Sequence, residues 1–107
     1  MSYNEIKAYI HRSRVADVVH ALLSAEFSEL SIIDVKGTLD ALDDREQSYS
    51  VEISEKVITE VKLELVCEDG DRSDLATEII LAQAKTGQEN AGSIYITPHV
   101  VRIKISS

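Results

Sequence analysis

Cysteine, proline, glycine and basic residues are all scarce in this sequence, and each shortage excludes a class of protein. The single cysteine, Cys67, permits neither an internal disulfide nor a cysteine-based zinc site within one chain, so we interpret it as a buried strand residue. The 4 glycines and 1 proline stand among recurrent leucine, isoleucine and valine, which indicates a globular chain. The net charge of −8 argues against a general nucleic-acid surface and favours cationic or protein partners.

Long apolar runs and targeting signals are also missing. No run approaches the length of a membrane span, and the first residues, Met-Ser-Tyr-Asn-Glu, lack the basic flank and apolar stretch of a signal peptide. We therefore expect no membrane insertion and a cytoplasmic location. A length of 107 residues predicts one domain, 1–107, with room for a single core.

Side chains that catalyse reactions or bind metals are scattered along the chain. His11, His20 and His99 lie far apart, and none stands near a carboxylate at metal-ligand spacing. No nucleophile motif is present, and Asp43 and Asp44 lie in an acidic stretch where solvated charge is the simpler interpretation. We therefore predict no catalytic residue, no enzyme, and no metal site within one chain.

The spacing of apolar residues predicts strands and helices in alternation. Strict alternation indicates strands over 5–10 and 57–67, and shorter apolar runs indicate strands over 30–35 and 94–96. An apolar stripe at helical spacing predicts one helix from Ser13 and a second from Asp71 or Ser73 to about Thr86. The inner side of the second helix is predicted to carry Leu75, Ala76, Ile79, Ile80 and Ala84.

This order predicts an α+β, ferredoxin-like βαββαβ domain. Its four-stranded antiparallel sheet carries both helices on one face and leaves the other to water or to another subunit. Segment 38–55, between the second and third strands, is acidic and without period, so we predict a long mobile loop that is either functional or a solvated tip. A short extra strand is expected after Pro98, its apolar residues inward and its basic residues outward: Val101, Arg102, Ile103, Lys104 and Ile105.

Residues 85–95, Lys-Thr-Gly-Gln-Glu-Asn-Ala-Gly-Ser-Ile-Tyr, join the second helix to the fourth strand. Gly87 stands where a helix C-terminus favours positive φ, and Gly92 lets backbone N–H groups approach an anion closely. An ordinary helix-to-strand connection is the simpler alternative. These two glycines alone leave both interpretations open.

Four local patterns follow one another along the chain: Val35-Lys36-Gly37, Val61-Lys62-Leu63-Glu64-Leu65-Val66, Thr86-Gly87 with Gly92-Ser93-Ile94-Tyr95, and Val101-Arg102-Ile103-Lys104. Together they resemble the PII signal-transduction family, the nitrogen regulatory protein P-II family. The first pattern resembles the opening of the family's partner-binding T-loop, and the second resembles the strand that follows that loop. The third resembles the family's nucleotide-binding B-loop, and the fourth resembles its phosphate-contacting C-terminal Arg-Ile-Arg.

The resemblance implies a homotrimeric regulatory protein and not a catalyst. Its clefts between subunits would bind an adenine nucleotide, AMP, ADP or ATP, with magnesium left open. The long loop would signal to a target protein such as a membrane transporter or a metabolic enzyme, through Asp43, Asp44, Arg45 and Tyr49. The implied nucleotide-binding residues are Gly37, Thr38, Val66, Thr86, Gly87, Asn90, Ala91, Gly92, Ser93, Arg102 and Lys104.

Three departures from the family pattern suggest a divergent member. Ala41 replaces a glutamine that helps the family hold magnesium and 2-oxoglutarate, while Glu60 and Ser93 replace lysines near the phosphates. Because a carboxylate repels a polyphosphate, we expect a nucleotide of lower charge, AMP or ADP, and no 2-oxoglutarate response. The rival hypothesis is a CutA-like trimeric protein that binds a metal or a partner and takes no nucleotide; three-fold symmetry would bring its acidic loops together.

Overall fold

The computed structural model describes residues 3–34 and 60–106, and these form the predicted ferredoxin-like α+β fold. Its strands make one antiparallel sheet in the order β2-β3-β1-β4. The predicted loop over 38–55 lies outside the described residues. The elements are β1 (Tyr3–His11), a short 3-10 turn (Arg12–Arg14), α1 (Val15–Ser24), β2 (Leu30–Ile33), β3 (Glu60–Cys67), α2 (Gly70–Gln83) and β4 (Gly92–Val100).

The core lies between the sheet and the two helices. Residues at alternate positions of β1 point the same way, so Ile6, Ala8 and Ile10 are all buried, and the register sets them opposite buried residues of β3. Of the strand predicted over 57–67, the alternate residues from Val61 to Cys67 are buried, while Val57 and Thr59 lie outside the described residues. The full set of core residues from β3 and the helices is Val61, Leu63, Leu65, Cys67, Val18, Leu22, Ala76 and Ile80.

One predicted core position of α2 is wrong. Leu75 is 38% exposed, whereas its neighbour Ala76 has no exposed surface. Successive helical residues are about 100° apart, so a helix that buries Ala76 and Ile80 turns Leu75 to its rim.

The helix boundaries also differ from those predicted. Ser13 lies inside the 3-10 turn instead of capping α1, and its N–H donates to His11 Nδ1 at 3.1 Å. The cap of α2 is Asp69, whose Oδ1 accepts from the Arg72 N–H at 2.8 Å, so Asp71 already lies within the first turn. At its other end α2 stops at Gln83, three residues before the predicted end at Thr86.

The extra carboxy-terminal strand is not formed. β4 continues through Pro98, which its place at the sheet edge tolerates, and a register shift opposite β1 accompanies a positive φ of 59° at His99. Val100 pairs with Tyr3, the first residue of β1, so residues 101–106 run past the end of their partner strand. Their apolar side chains are therefore outside the core: Val101, Ile103 and Ile105 are 76%, 85% and 95% exposed.

Candidate functional site

The register of the strands divides the candidate site residues between two opposite ends of the sheet. At the first, called the loop end, His11 pairs with Glu60 and Ile10 pairs with Gly92. At the second, called the tail end, Tyr3 pairs with Val100 and is followed by Asn4 opposite Cys67. β4 has 9 residues, and strands rise about 3.3 Å per residue, so Gly92 and Val100 stand roughly 26 Å apart, and Arg102 follows two residues after Val100.

At the loop end, residues 84–92 form a connection held by its own side chains. Thr86 Oγ1 accepts from the Gln88 N–H, and Asn90 Oδ1 accepts from the Gly92 N–H, both at 3.3 Å. Gly87 has a φ of 85° and is exposed, but it lies beyond the cap of α2 at Ala84. Its left-handed backbone therefore shapes the connection itself instead of ending the helix. Ala91 is half-buried, and Ser93 is exposed in β4 opposite Tyr9.

Gly92 is required for a reason that the sequence pattern did not indicate. Its φ is 140°, and a Cβ at this position would lie 2.1 Å from the carbonyl oxygen of Tyr9. The backbones of β4 and β1 approach too closely here for any side chain, so the glycine is needed for packing. This packing requirement for glycine holds whether or not an anion binds to the backbone N–H groups here.

Two arginines after β1 fasten the loop end. Arg12 forms two hydrogen bonds with the carboxylate of Asp34, which follows β2, and these raise the pKa of its guanidinium. Arg14 Nε donates to the backbone oxygen of Gln83 at 2.8 Å, while its guanidinium pairs with Asp17 at 2.9 Å. The starts of both long connections, after β2 and after α2, are thus tied to the residues that follow β1.

At the tail end, Val66 and Arg102 line one cavity of about 510 Å³. Arg102 Nη1 lies 3.4 Å from Glu29 Oε2, an exposed and weak ion pair. Lys104 is exposed two residues further on. The cavity wall also contains Tyr3, Glu26, Phe27, Ser28, Leu65, Cys67, Glu68, Asp69 and Arg72.

Arg72 stabilises the wall of this cavity. Its guanidinium lies 3.8 Å from the ring centroid of Phe27 and donates to the backbone oxygens of Ala25 and Glu26 at 3.1 and 3.2 Å. Glu26 has a positive φ of 67°, so it closes the turn after α1 in the left-handed region. These bonds connect the first turn of α2 to the end of α1, and both use Nη2 of Arg72.

The predicted nucleotide-binding residues therefore fall into three groups. Val66 and Arg102 share the tail-end cavity, and Lys104 is exposed two residues further along the chain. The residues of 86–93 lie together at the loop end. Gly37 and Thr38 lie outside the described residues, as do the predicted partner contacts Asp43, Asp44, Arg45 and Tyr49. Sequence reasoning missed Arg12, Asp34 and Glu29, because these pairs join positions that are 22 and 73 residues apart. No local spacing identifies such contacts.

A family model described as nitrogen regulatory protein P-II matches residues 3–106, nearly the whole chain. The chain belongs to this family. P-II proteins are regulatory proteins. The match confirms the family that the motifs of the sequence indicated.

Two similar relatives, both named nitrogen regulatory proteins P-II, support the assignment over 102 aligned residues. The protein of Porphyra purpurea is 29% identical, and P-II 1 of Methanothermobacter thermautotrophicus is 30% identical. The alignments cover 94% of this chain and 90% and 88% of those relatives.

The fold of this P-II chain is similar to that of a solved plant structure. A crystal structure of Arabidopsis thaliana PII bound to citrate aligns with a TM-score of 0.66 and 22% sequence identity, over 95% of this chain and 83% of that one. At this identity the similarity concerns the fold.

Among residues 3–34 and 60–106, no group of three or more His, Cys, Asp or Glu side chains is arranged to hold a metal ion. The same residues contain no helix long and apolar enough to cross a membrane.

Proposed function

We propose that this P-II protein is a homotrimer that binds an adenine nucleotide between its subunits and signals the bound state to a target protein. The separation of the predicted ligand residues within one chain carries the proposal. The glycine-containing connection and Arg102 lie at opposite ends of β4, whose ends stand roughly 26 Å apart, more than one nucleotide spans. A site that uses both must combine the loop end of one copy with the tail end of another.

The charges at the two ends favour a nucleotide of low charge. At the loop end, Glu60 and Ser93 occupy the positions that the family resemblance assigns to lysines, and Glu60 pairs with His11 in the sheet. At the tail end, Arg102 and Lys104 supply cations on a segment that projects beyond β1. Fewer cations give less compensation for a triphosphate, so AMP or ADP is the proposed physiological ligand.

The signalling part of the proposal rests on the position of segment 38–55. The segment follows β2 and precedes β3, and both strands reach the loop end, the end of the sheet at which the connection over 84–92 enters β4. A nucleotide at the loop end would therefore lie at the same end of the sheet as the residues that lead into and out of the segment. We propose that Asp43, Asp44, Arg45 and Tyr49 contact a protein target in the cytoplasm, a membrane transporter or a metabolic enzyme, without a 2-oxoglutarate response.

Subunit mixing tests whether the site is shared between copies. Gly87→Val alters the loop end and Arg102→Gln alters the tail end, and each homo-oligomer is expected to lose nucleotide binding in a fluorescence titration. A mixed oligomer retains at least one junction in which an unaltered loop end meets an unaltered Arg102. Mixing after dissociation and reassembly should therefore restore part of the binding, whereas a site within one chain would gain nothing.

Two further measurements test the ligand and the assembly. Native mass spectrometry should give the mass of three chains. A thermal-shift series with AMP, ADP, ATP, magnesium and 2-oxoglutarate should show a rise with AMP or ADP, because a ligand that binds only the folded state stabilises it. Tight magnesium-ATP binding strengthened by 2-oxoglutarate would contradict the proposed ligand class. No shift with any nucleotide, together with a metal-dependent oligomer mass, would support the CutA-like rival.

A further inference from the structure

We infer that Glu29 is a specificity-determining residue, whose carboxylate withholds Arg102 from polyphosphates and so biases the site against ATP. The inference rests on the proposed function, because it requires a nucleotide at Arg102. Its basis is the 3.4 Å contact between Arg102 Nη1 and Glu29 Oε2 in the wall of the tail-end cavity. The family resemblance did not indicate any role for Glu29.

The contact is weak enough to be exchanged for a ligand. The side chains of Arg102 and Glu29 are 45% and 69% exposed, and a separation of 3.4 Å is longer than a good charge-assisted hydrogen bond. Glu29 lies on the turn between α1 and β2, 73 residues before Arg102, so the chain brings the two charges together only through the fold. A phosphate that enters the cavity competes with the Glu29 carboxylate for the same guanidinium.

The surrounding charges strengthen the bias. The cavity is lined by four carboxylates, Glu26, Glu29, Glu68 and Asp69, and by two guanidiniums, Arg72 and Arg102. Arg72 already donates to two backbone oxygens and stacks on Phe27, which leaves Arg102 as the cation better placed to meet a ligand. The cost of bringing phosphate charge next to these carboxylates rises with the number of phosphoryl groups. ATP therefore suffers more from Glu29 than AMP does.

Calorimetric titration of AMP and ATP, with EDTA present to exclude magnesium, tests the inference. Glu29→Gln removes the charge and keeps the shape, so the ratio of ATP to AMP affinity is expected to rise about three- to ten-fold. Glu29→Asp keeps the charge and should stay close to the wild-type ratio. Glu78→Gln is the matched control, since Glu78 is exposed on α2 and does not line the cavity, and it should leave the ratio unchanged.

A double-mutant cycle shows whether Glu29 acts through Arg102. In the Arg102→Gln background, Glu29→Gln should change the ratio much less than in the wild type. An undiminished change in that background would overturn competition for Arg102, and equal ratios for Glu29→Gln and Glu78→Gln would overturn the role of Glu29. Both results leave the proposed function intact. Failure of the wild type to bind any adenine nucleotide would overturn the proposed function and this inference together.

Discussion

Arg12 and Asp34 join the residue after β1 to the residue after β2 through two guanidinium-carboxylate hydrogen bonds. Nη1 donates to Oδ2 at 2.5 Å and Nη2 donates to Oδ1 at 2.9 Å. β3 lies between β1 and β2 in the sheet, so this pair spans the end of the intervening strand. It therefore fixes the point from which the chain leaves β2 toward segment 38–55.

We predict that Arg12→Gln loosens the end of β2 without unfolding the domain. Both side chains are partly exposed, so the melting temperature should change little. Local opening of the wild-type strand end must break the two hydrogen bonds between Arg12 and Asp34, and the variant lacks this cost. Amide exchange of Ile33 and Asp34 should therefore become several-fold faster. Lys7→Gln is the control, since Lys7 forms an exposed ion pair with Glu5 away from this end. Equal exchange rates in the two variants would contradict an anchoring role.

Gly92→Ala should destabilise the domain strongly. A Cβ at Gly92 would lie 2.1 Å from the Tyr9 carbonyl oxygen, and φ is 140°, so the two backbones must separate. We expect a loss of about 2–4 kcal/mol in the free energy of unfolding, measured by urea denaturation. Gly70→Ala is the control, because nothing lies within 4 Å of its Cβ position at the start of α2. It should be neutral or stabilise by about 0.5–1 kcal/mol.

Asp69→Ala should remove the cap of α2. The Asp69 carboxylate accepts from the Arg72 N–H at 2.8 Å, and loss of such a cap costs about 1 kcal/mol. Asp69→Asn keeps an acceptor and should recover most of the loss. Asp71→Ala removes a carboxylate two residues further on that does not cap the helix. A larger loss for Asp71→Ala than for Asp69→Ala, in denaturant midpoints, would show that the cap is assigned wrongly.

The thiol of Cys67 should make the domain less stable at alkaline pH. Burial raises the pKa of Cys67 above its ordinary value of 9.0, with a lesser lowering by Arg72. Above about pH 9 the unfolded thiol loses its proton while the native thiol keeps it, so the unfolded state binds fewer protons. The free energy of unfolding should then fall as pH rises from the unfolded toward the native pKa.

Urea unfolding between pH 8 and 10 measures this effect against Cys67→Ala. Other groups titrate in both proteins, so the slope for the wild type should be the steeper of the two. Parallel slopes would mean that the thiol ionises equally in the native and unfolded states. The absolute loss in Cys67→Ala reflects the volume removed from the core and is a separate quantity.

Local patterns predicted the elements better than their ends. The alternation over 5–10 and 57–67 follows directly from side-chain directions in a strand, and the alternate residues of β1 from Ile6 to Ile10 and of β3 from Val61 to Cys67 are buried. Capping is different, because Ser13, Asp69, Asp71 and Ser73 are all suitable residue types. The backbone conformation before each helix decides which of these residues caps it. Asp69 is extended and caps α2, whereas Ser13 lies in a 3-10 turn and does not cap α1.

The candidate site was predicted in its residue types but not in its arrangement. Gly87, Gly92 and Arg102 stand in motifs that local spacing and family resemblance identify. Those motifs carry no information on which end of the sheet each one occupies. The antiparallel pairing of β4 with β1 separates them, because Gly92 lies opposite Ile10 and Val100 lies opposite Tyr3.

The sequence by itself determined the family, the order of strands and helices, and the inward face of each central strand. These follow from periodicity and from motifs, which are local properties of the chain. The tertiary structure alone decided that Arg12 meets Asp34, that Glu29 faces Arg102, and that Gly92 packs against Tyr9. Such contacts join residues far apart in the chain, and their partners are set by the register of the sheet and the closing turns, not by neighbours in sequence.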